Sequence, residues 1–148
     1  GSAFAAELGA MKVNEEIDAL ETMGLRPVRF LVLPRVLAGT LALPLLSLFV
    51  TLAGLIGGGV VMGILGFSGN YYLDQLQLFV GLSDVLGSFC KAFAFGFSVS
   101  AVGCWCGLRA GRDAGAVGTA TTAAVVIGIV SIALLEGLFS VVFYAMGW

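Results

Sequence analysis

The sequence predicts an all-α membrane protein, a polytopic helical bundle of three transmembrane helices preceded by an amphipathic helix outside the membrane. Of the 148 residues, 59% are hydrophobic and 11% are charged, whereas about 25% of the residues in an average soluble domain are charged. The charges are also unevenly placed, because nine of the sixteen lie between residues 7 and 35. Such a sparse set cannot cover a surface in water, so the long uncharged tracts are expected to lie in lipid.

The composition argues against several classes of function. The formal net charge of −2 lacks the basic excess that binding to a nucleic-acid backbone requires, so no nucleic-acid partner is expected. The sequence has no histidine, and its cysteines, Cys90, Cys104 and Cys106, are expected to be small core residues rather than metal ligands. No catalytic residue and no metal site is predicted. A phosphate-binding loop of the G-x-x-x-x-G-K-[ST] type does not occur.

Three apolar tracts predict the transmembrane helices, over residues 36–66, 85–108 and 114–147. Each exceeds the about 20 apolar residues that cross a bilayer. In the first tract, residues 57–59 are all glycine and suggest a turn, but the two halves of a hairpin would each be too short to span. One long helix, straight or kinked, is therefore predicted. The polar stretch 67–74 is predicted to be a loop at the far membrane interface.

The basic residues predict how the chain is oriented. Six of the seven lie before the first predicted span or between the second and the third, namely Lys12, Arg26, Arg29, Arg35, Arg109 and Arg112. Because loops rich in lysine and arginine stay in the cytoplasm, this side is predicted to be cytoplasmic. Residues 67–84 contain neither lysine nor arginine. That loop and the C-terminus at Trp148 are therefore predicted to be periplasmic.

The chain is expected to have two parts. Residues 1–35 are predicted to hold the end of an upstream span, a cytoplasmic helix and a junction, and residues 36–148 form the transmembrane region. The sequence begins without methionine, in small residues that are typical of the end of another helix. Further sequence upstream is therefore expected.

Small residues at spacings of four predict where membrane helices pack closely. Gly59 and Gly63 have this spacing in the first predicted span, and Gly103, Gly107 and Gly111 have it along the second and just beyond it. All five are predicted to lie at helix contacts. A hinge that lets a helix bend is the alternative at each position.

Two ionisable residues, Lys91 and Glu136, lie inside predicted spans. At about 1.5 Å rise per residue, both are near the outer ends of their helices. Because adjacent spans run antiparallel, the two side chains can form an ion pair. The alternative, which the sequence favours, is that each reaches the interface without pairing. Neither position is deep enough for a proton relay, so a proton-driven pump is not expected.

Residues 7–24 are the most charged segment and are predicted to form one amphipathic helix, which Gly24 and Pro27 end. At about 100° per residue, its apolar stripe consists of Val13, Ile17, Leu20 and Gly24. Five acids against one lysine favour a protein partner over a membrane surface. The predicted docking residues are Glu7, Lys12, Glu15, Glu16, Asp18 and Glu21, and the junction residues are Arg26, Arg29 and Arg35. The alternative is the solvated face of a helix packed under the bundle.

Two motifs resemble those of a known family. The first is G-S-A-x-A-A-E-L-G-x-M-K-V-x-E-E-I-D-A-L-x-x-M-G over residues 1–24, followed by Pro27 and by L-V-x-P-R over 31–35. The second is G-x-x-A-G-A-V-G-T-A-T-T-x-A-V-V over residues 111–126. Over essentially all of its length, the sequence resembles the MlaE/YrbE family of ABC-transporter permeases.

The resemblance implies a permease of the bacterial inner membrane that works as a homodimer with two cytoplasmic ATPase subunits. It implies transport of phospholipid or a related hydrophobic lipid between that membrane and a periplasmic lipid carrier with an MCE domain. Residues 7–24 match the family's coupling helix, which docks on the ATPase. ATP and Mg would be used by that ATPase, and no cofactor is expected on this chain.

Family members usually have five membrane helices preceded by an interfacial one, so this chain matches their C-terminal part. The residues that bind substrate are not predicted. A non-transporting membrane scaffold that recruits a cytoplasmic partner is the alternative function. An intramembrane enzyme is not expected, because the hydroxyl groups of the predicted spans have no histidine or deep carboxylate beside them.

Overall fold

The structure, a computed structural model, describes residues 1–146 and is predominantly helical, with no strand in that range. Its elements are α1 (Ser2–Val13), α2 (Glu16–Thr22), a π-helical turn (Val28–Val32), α3 (Leu33–Ile64), α4 (Gly69–Phe79), α5 (Leu82–Leu108) and α6 (Ala114–Met146). The predicted all-α class, with an N-terminal helix before the spans, is confirmed.

Three helical stretches are long and apolar enough to cross a membrane, and they are Val28–Ile64, Asp84–Leu108 and Ala114–Met146. The second and third stretches begin and end within a few residues of the predicted spans 85–108 and 114–147. The first stretch begins earlier than predicted, because the π-helical turn leads directly into α3. Trp148, predicted to lie at the outer interface, is outside the described residues, as is residue 147, the end of the third predicted span.

The first span is one helix, as predicted. α3 continues through the three glycines at 57–59 to Ile64, and no hairpin forms. A turn at that depth would leave backbone N–H and C=O groups without partners in lipid, which an unbroken helix avoids. Pro44 lies inside α3, and the Ser47 hydroxyl donates a hydrogen bond to the Pro44 carbonyl oxygen at 2.7 Å.

The stretch predicted to be a loop at 67–74 is largely helical, which corrects that prediction. The Ser68 hydroxyl accepts a hydrogen bond from the Tyr71 N–H at 3.3 Å and so caps the start of α4. Helix α4 then lies against α3, where the Tyr72 hydroxyl donates to the Leu55 carbonyl oxygen at 2.8 Å. Gly, Asn and Tyr suggested a turn, but Ser68 supplies a helix cap and Tyr72 supplies the tertiary contact that holds the helix.

Helix α5 lies at the centre of the bundle and contacts α1, α3 and α6. Its glycines allow the close approach of two neighbours. A Cβ atom on Gly96 would lie 2.9 Å from the Gly39 carbonyl oxygen of α3. A Cβ atom on Gly107 would lie 2.8 Å from the Leu8 Cβ of α1. Both spaces are too small for any side chain, so these contacts depend on glycine.

The five glycines predicted to lie at helix contacts have different surroundings. Gly103 faces the backbone of Gly1, just before α1, and Gly107 contacts α1 as described. Gly59 faces the Tyr72 ring, and Gly111 faces Ala116 across the turn into α6. Gly63 has no atom within 4 Å of its Cβ position in the described part of the chain. Residues 1–146 therefore provide no helix contact for Gly63, and a contact at this position stays a prediction.

Helix α1 packs inside the bundle against α5 and α6, with Ala5, Leu8 and Gly9 buried. It ends at Val13, and Glu15 has a φ of 60°, in the left-handed region, before α2 begins. The prediction of one helix over residues 7–24 is therefore wrong. Winding the sequence at a constant angle assumes an unbroken helix, so it cannot reveal a single residue that turns the chain.

Candidate functional site

The predicted site lies at the end of the bundle formed by the N-terminal segment (residues 1–32), the start of α3 and the loop 109–113. We call it the basic end because it holds six of the seven basic residues, although it also holds six acidic ones. Helix α2 is attached there by apolar contacts. Ile17 is only 7% exposed and belongs to a buried cluster with Leu8, Leu31, Val36 and Cys104, against which Leu20 packs. Two residues of the predicted apolar stripe thus anchor α2 and turn its acidic residues outward.

An ion pair links α1 to α3. Arg35 Nη2 donates to Glu7 Oε1 at 2.6 Å, and Arg35 Nε donates to Glu7 Oε2 at 3.4 Å, so the carboxylate is held at two points. Arg35 Nη1 also donates to the Leu31 carbonyl oxygen at 3.0 Å, which fixes the guanidinium. The hydrogen bonds from Arg35 hold the pKa of the Glu7 carboxyl below its ordinary value, against the opposing effect of burial.

Two further contacts link the N-terminal segment to the end of α5 and to the loop beyond it. Lys12 Nζ donates to the Leu108 carbonyl oxygen at 2.8 Å, where the last carbonyls of α5 lack helical partners and the helix dipole is negative. Arg112 Nη2 donates to Asp18 Oδ2 at 3.0 Å and joins the loop to α2. The N-terminal segment is therefore attached by polar contacts to α3, to α5 and to the loop before α6.

The predicted docking residues separate into two groups. Glu7, Lys12 and Asp18 contact other parts of the bundle, as described above. The others, Glu15, Glu16 and Glu21, are exposed and form no ion pair within residues 1–146. We call these three residues the acidic face of α2. Docking of a partner on them stays a prediction.

The predicted junction residues also fall into two groups. Arg35 lies in the contact with Glu7, whereas Arg26 and Arg29 are exposed. Close to them in the sequence are exposed apolar side chains that the sequence reasoning missed, among them Met23 and Phe30, of which Phe30 belongs to the first membrane-length stretch. Gly24, with a φ of +77°, and Pro27 were recognised only as signals that end a helix. Because Gly24 and Pro27 end the helix, the apolar residues around them do not belong to a helical face that packs on the bundle. This interruption is the signal in the sequence that could have identified their exposure.

At the other end of the bundle, the structure brings Lys91 and Glu136 together. Lys91 Nζ lies 2.6 Å from Glu136 Oε1 and 5.4 Å from the centre of the Phe143 ring. The structure thus contains the ion pair, and the two side chains do not extend separately to the interface. The ion pair joins α5 to α6 and provides each charge with a partner within two apolar, membrane-length helices.

The cysteines lie in two environments. Cys104 and Cys106 are buried, as expected, but Cys90 is exposed, which corrects the prediction for that residue. Cys90 lies on a side of α5 that no other helix of residues 1–146 covers, where lipid can contact a small apolar side chain. Within residues 1–146, no group of three or more Cys, Asp or Glu residues is arranged to hold a metal ion.

Comparison with known proteins identifies the family. The sequence model described as Permease MlaE matches residues 1–142. The chain is 41% identical over 128 residues to a probable ABC transporter permease protein of Rickettsia typhi, covering 85% of this chain and 49% of that protein. It is 39% identical over 133 residues to a probable ABC transporter permease protein of Synechocystis sp., covering 89% of this chain and 51% of that protein.

A plant protein is also similar. The chain is 35% identical over 145 residues to the protein trigalactosyldiacylglycerol 1, chloroplastic, of Arabidopsis thaliana, covering 97% of this chain and 41% of that protein. The chain spans about half the length of the curated relatives it matches. The matching family model and the three membrane-length helices agree with each other. The chain is a multi-pass membrane protein and belongs to the MlaE family of ABC-transporter permeases.

Proposed function

We propose that this chain is the part of a lipid-transporting permease that couples an ATPase to the membrane helices. In this proposal, a homodimer of the whole protein moves phospholipids or related lipids between the bacterial inner membrane and a periplasmic MCE-domain carrier. A separate cytoplasmic ATPase subunit uses ATP and Mg, and this chain binds no cofactor. The basic end faces the cytoplasm and the C-terminus faces the periplasm.

The observation that carries this proposal is the attachment of α2. Its buried side is anchored by Ile17, and its Asp18 contacts Arg112 of the loop before α6. Its acidic face is exposed, and the exposed side chain of Met23 follows directly after α2. Apolar side chains bordered by charges are typical of protein-binding surfaces. A displacement of α2 by a bound ATPase would reach the spans through contacts already in place.

Two observations support a lipid substrate and a second copy. Large apolar side chains of α3 and α6 remain exposed along most of both helices, as expected for surfaces that contact lipid, other parts of the protein or another copy. The name of the Arabidopsis relative contains a glycolipid, trigalactosyldiacylglycerol. An apolar surface suits the passage of lipid chains, which requires no catalytic group.

The decisive experiment uses the full-length protein with its ATPase and MCE-domain partner in phospholipid vesicles. Labelled phospholipid transferred between the vesicles and the carrier is measured with ATP and with a non-hydrolysable analogue. We expect transfer that depends on hydrolysis. If the ATPase binds but transfer is the same under both conditions, the permease proposal is wrong and the scaffold alternative explains the recruitment.

Charge reversal tests the acidic face. The double substitution Glu15→Lys and Glu21→Lys is expected to lower the amount of ATPase that co-purifies by about tenfold. The two lysines would repel a basic surface of the partner that the two carboxylates attract. Asp74→Lys, an exposed acid of α4 at the other end, is the matched control and is expected to leave co-purification unchanged. Equal recovery of ATPase with both proteins would contradict docking on α2.

A further inference from the structure

We propose that a groove between α5 and α6, at the basic end of the bundle, binds an anionic phospholipid from the surrounding membrane. Arg109 would bind the phosphate, and the apolar groove would hold the upper part of an acyl chain. The inference requires only that α5 and α6 lie in a bilayer. It is therefore independent of whether the protein transports lipid and of which lipid is transported.

Arg109 lies where a headgroup would be. The second span ends at Leu108, so Arg109 is the first residue beyond the apolar helix, at the level where phosphates begin. Its guanidinium lies 4.8 Å from the centre of the Trp105 ring. Stacking on the indole holds a guanidinium by its face and leaves the N–H groups at its edge free to bind phosphate oxygens.

The charge of Arg109 is available to a ligand. The ion pairs among residues 1–146 use Arg35, Lys91 and Arg112 as their cations, and Arg109, which is exposed, takes part in none of them. The acid next in sequence, Asp113, accepts a hydrogen bond from the Ala116 N–H at 3.0 Å at the start of α6, where the helix dipole stabilises it. A phosphate would therefore meet a guanidinium that pairs with no carboxylate of residues 1–146.

The groove continues from Arg109 along α6 into the apolar part of the bundle. It has a volume of about 360 Å³, and its walls include Trp105, Cys106, Thr119, Ala120, Ala123 and Ile127. From residue 116 to residue 127 the helix rises about 16 Å, which matches a substantial part of an acyl chain. Trp105 is 50% exposed, so its ring forms one side of the groove instead of filling it.

Combined in one place, a stacked guanidinium and an apolar groove suit a phospholipid better than a free anion or a soluble protein. A basic pocket between membrane helices at the membrane boundary is a recurrent type of site for anionic headgroups. A free phosphate would use Arg109 alone, and a soluble partner would not reach the part of the groove within the membrane. The chemistry therefore selects a lipid with a net negative headgroup.

The test uses the fluorescence of Trp105 in the full-length protein, in a variant that keeps Trp105 as its only tryptophan. The protein is reconstituted in phosphatidylcholine vesicles that contain either brominated phosphatidylglycerol or brominated phosphatidylcholine. Bromine quenches a tryptophan that it contacts. We expect brominated phosphatidylglycerol to associate about fivefold more strongly, the effect of one basic residue at a membrane surface. Inorganic phosphate in the buffer is expected not to reverse the quenching.

Two variants separate a site from a general surface charge. Arg109→Gln is expected to remove the preference, so that both brominated lipids quench equally. Arg29→Gln removes the same charge from an exposed position of the same end and is expected to retain the preference. Equal quenching by both lipids in the protein with Arg109, reversal by inorganic phosphate, or an equal loss in both variants would overturn the proposal.

Discussion

Helices α3 and α5 are both long, apolar and rich in glycine, and they pack against each other at Gly39 and Gly96, yet their other glycines have different surroundings. Each glycine of α5, at positions 87, 96, 103 and 107, faces atoms of another element. In α3, by contrast, Gly54, Gly57 and Gly63 have no atom within 4 Å of their Cβ positions among the described residues. At its basic end α3 is tied to α1 by the ion pair between Arg35 and Glu7. The same residue type thus marks a contact only where a neighbour is present.

The largest expected effect comes from adding a side chain to α5. Gly107→Leu is expected to lower the free energy of unfolding by about 3 kcal/mol, the upper end for overpacking, because Leu8 and the backbone of Ala5 occupy the space. Gly63→Leu is the matched control on α3 and is expected to change stability by less than about 0.5 kcal/mol. Denaturation of both variants in mixed detergent measures the difference. Equal stability would remove the distinction between the two helices.

A second pair of variants tests two adjacent glycines of α3. A Cβ atom on Gly58 would lie 2.9 Å from the Tyr72 hydroxyl oxygen, whereas one on Gly57 would meet no atom within 4 Å. Gly58→Val is therefore expected to displace Tyr72 and to destabilise the attachment of α4 by about 1 kcal/mol, the value of one hydrogen bond. Amide hydrogen exchange in residues 69–79 should become about fivefold faster, while Gly57→Val leaves it unchanged. The opposite order would contradict the placement of α4.

The ion pair that ties α3 to α1 predicts a dependence on pH. Because Arg35 lowers the pKa of the folded Glu7 carboxyl from its ordinary value of 4.5, the stabilisation is present above that value. It is lost as the pH falls through the lowered pKa. Glu7→Gln should lower the melting temperature by a few degrees near pH 7, and the difference from the unsubstituted protein should vanish at low pH. Glu15→Gln breaks no ion pair and should show no such convergence. A difference that is constant with pH would show that the ion pair adds no stability.

The smallest expected effect concerns Asp18 and Arg112, whose side chains are 44% and 68% exposed. Asp18→Arg alone is expected to destabilise α2 by about 0.5 kcal/mol, the usual size for a surface pair. Adding Arg112→Asp should restore the contact with reversed polarity. Hydrogen exchange of residues 16–22 in the four proteins of the cycle measures the coupling. Additive effects would mean that the two residues do not interact in solution.

The sequence predicted three membrane-length helices because the thickness of a bilayer imposes their length and apolar character. It failed at Glu15 and at residues 69–79, because a left-handed residue and a helix cap each depend on the conformation of one or two residues. Neither changes the average composition of a window. Glycine spacing likewise identified candidates for contacts, but which of them have a neighbour depends on the arrangement of α1, α3 and α5.

The site was predicted only in part, for a related reason. Charge alone selected all six docking residues, yet three of them contact groups far away in the sequence. Glu7 is 28 residues from Arg35, Lys12 is 96 from Leu108 and Asp18 is 94 from Arg112. A helical pattern describes only neighbours within a few turns. It therefore cannot separate an acid that is paired across the bundle from one that is left facing solvent.

The left-handed Glu15 and Gly24, with φ values of 60° and +77°, enclose the seven residues of α2 between two sharp corners. A short helix with a sharp turn at each end can change its tilt by rotation about a few backbone bonds. The helices before and after it then keep their registers. A push on α2 would thus tilt this helix, and the tilt would reach the loop before α6 through the contact between Asp18 and Arg112.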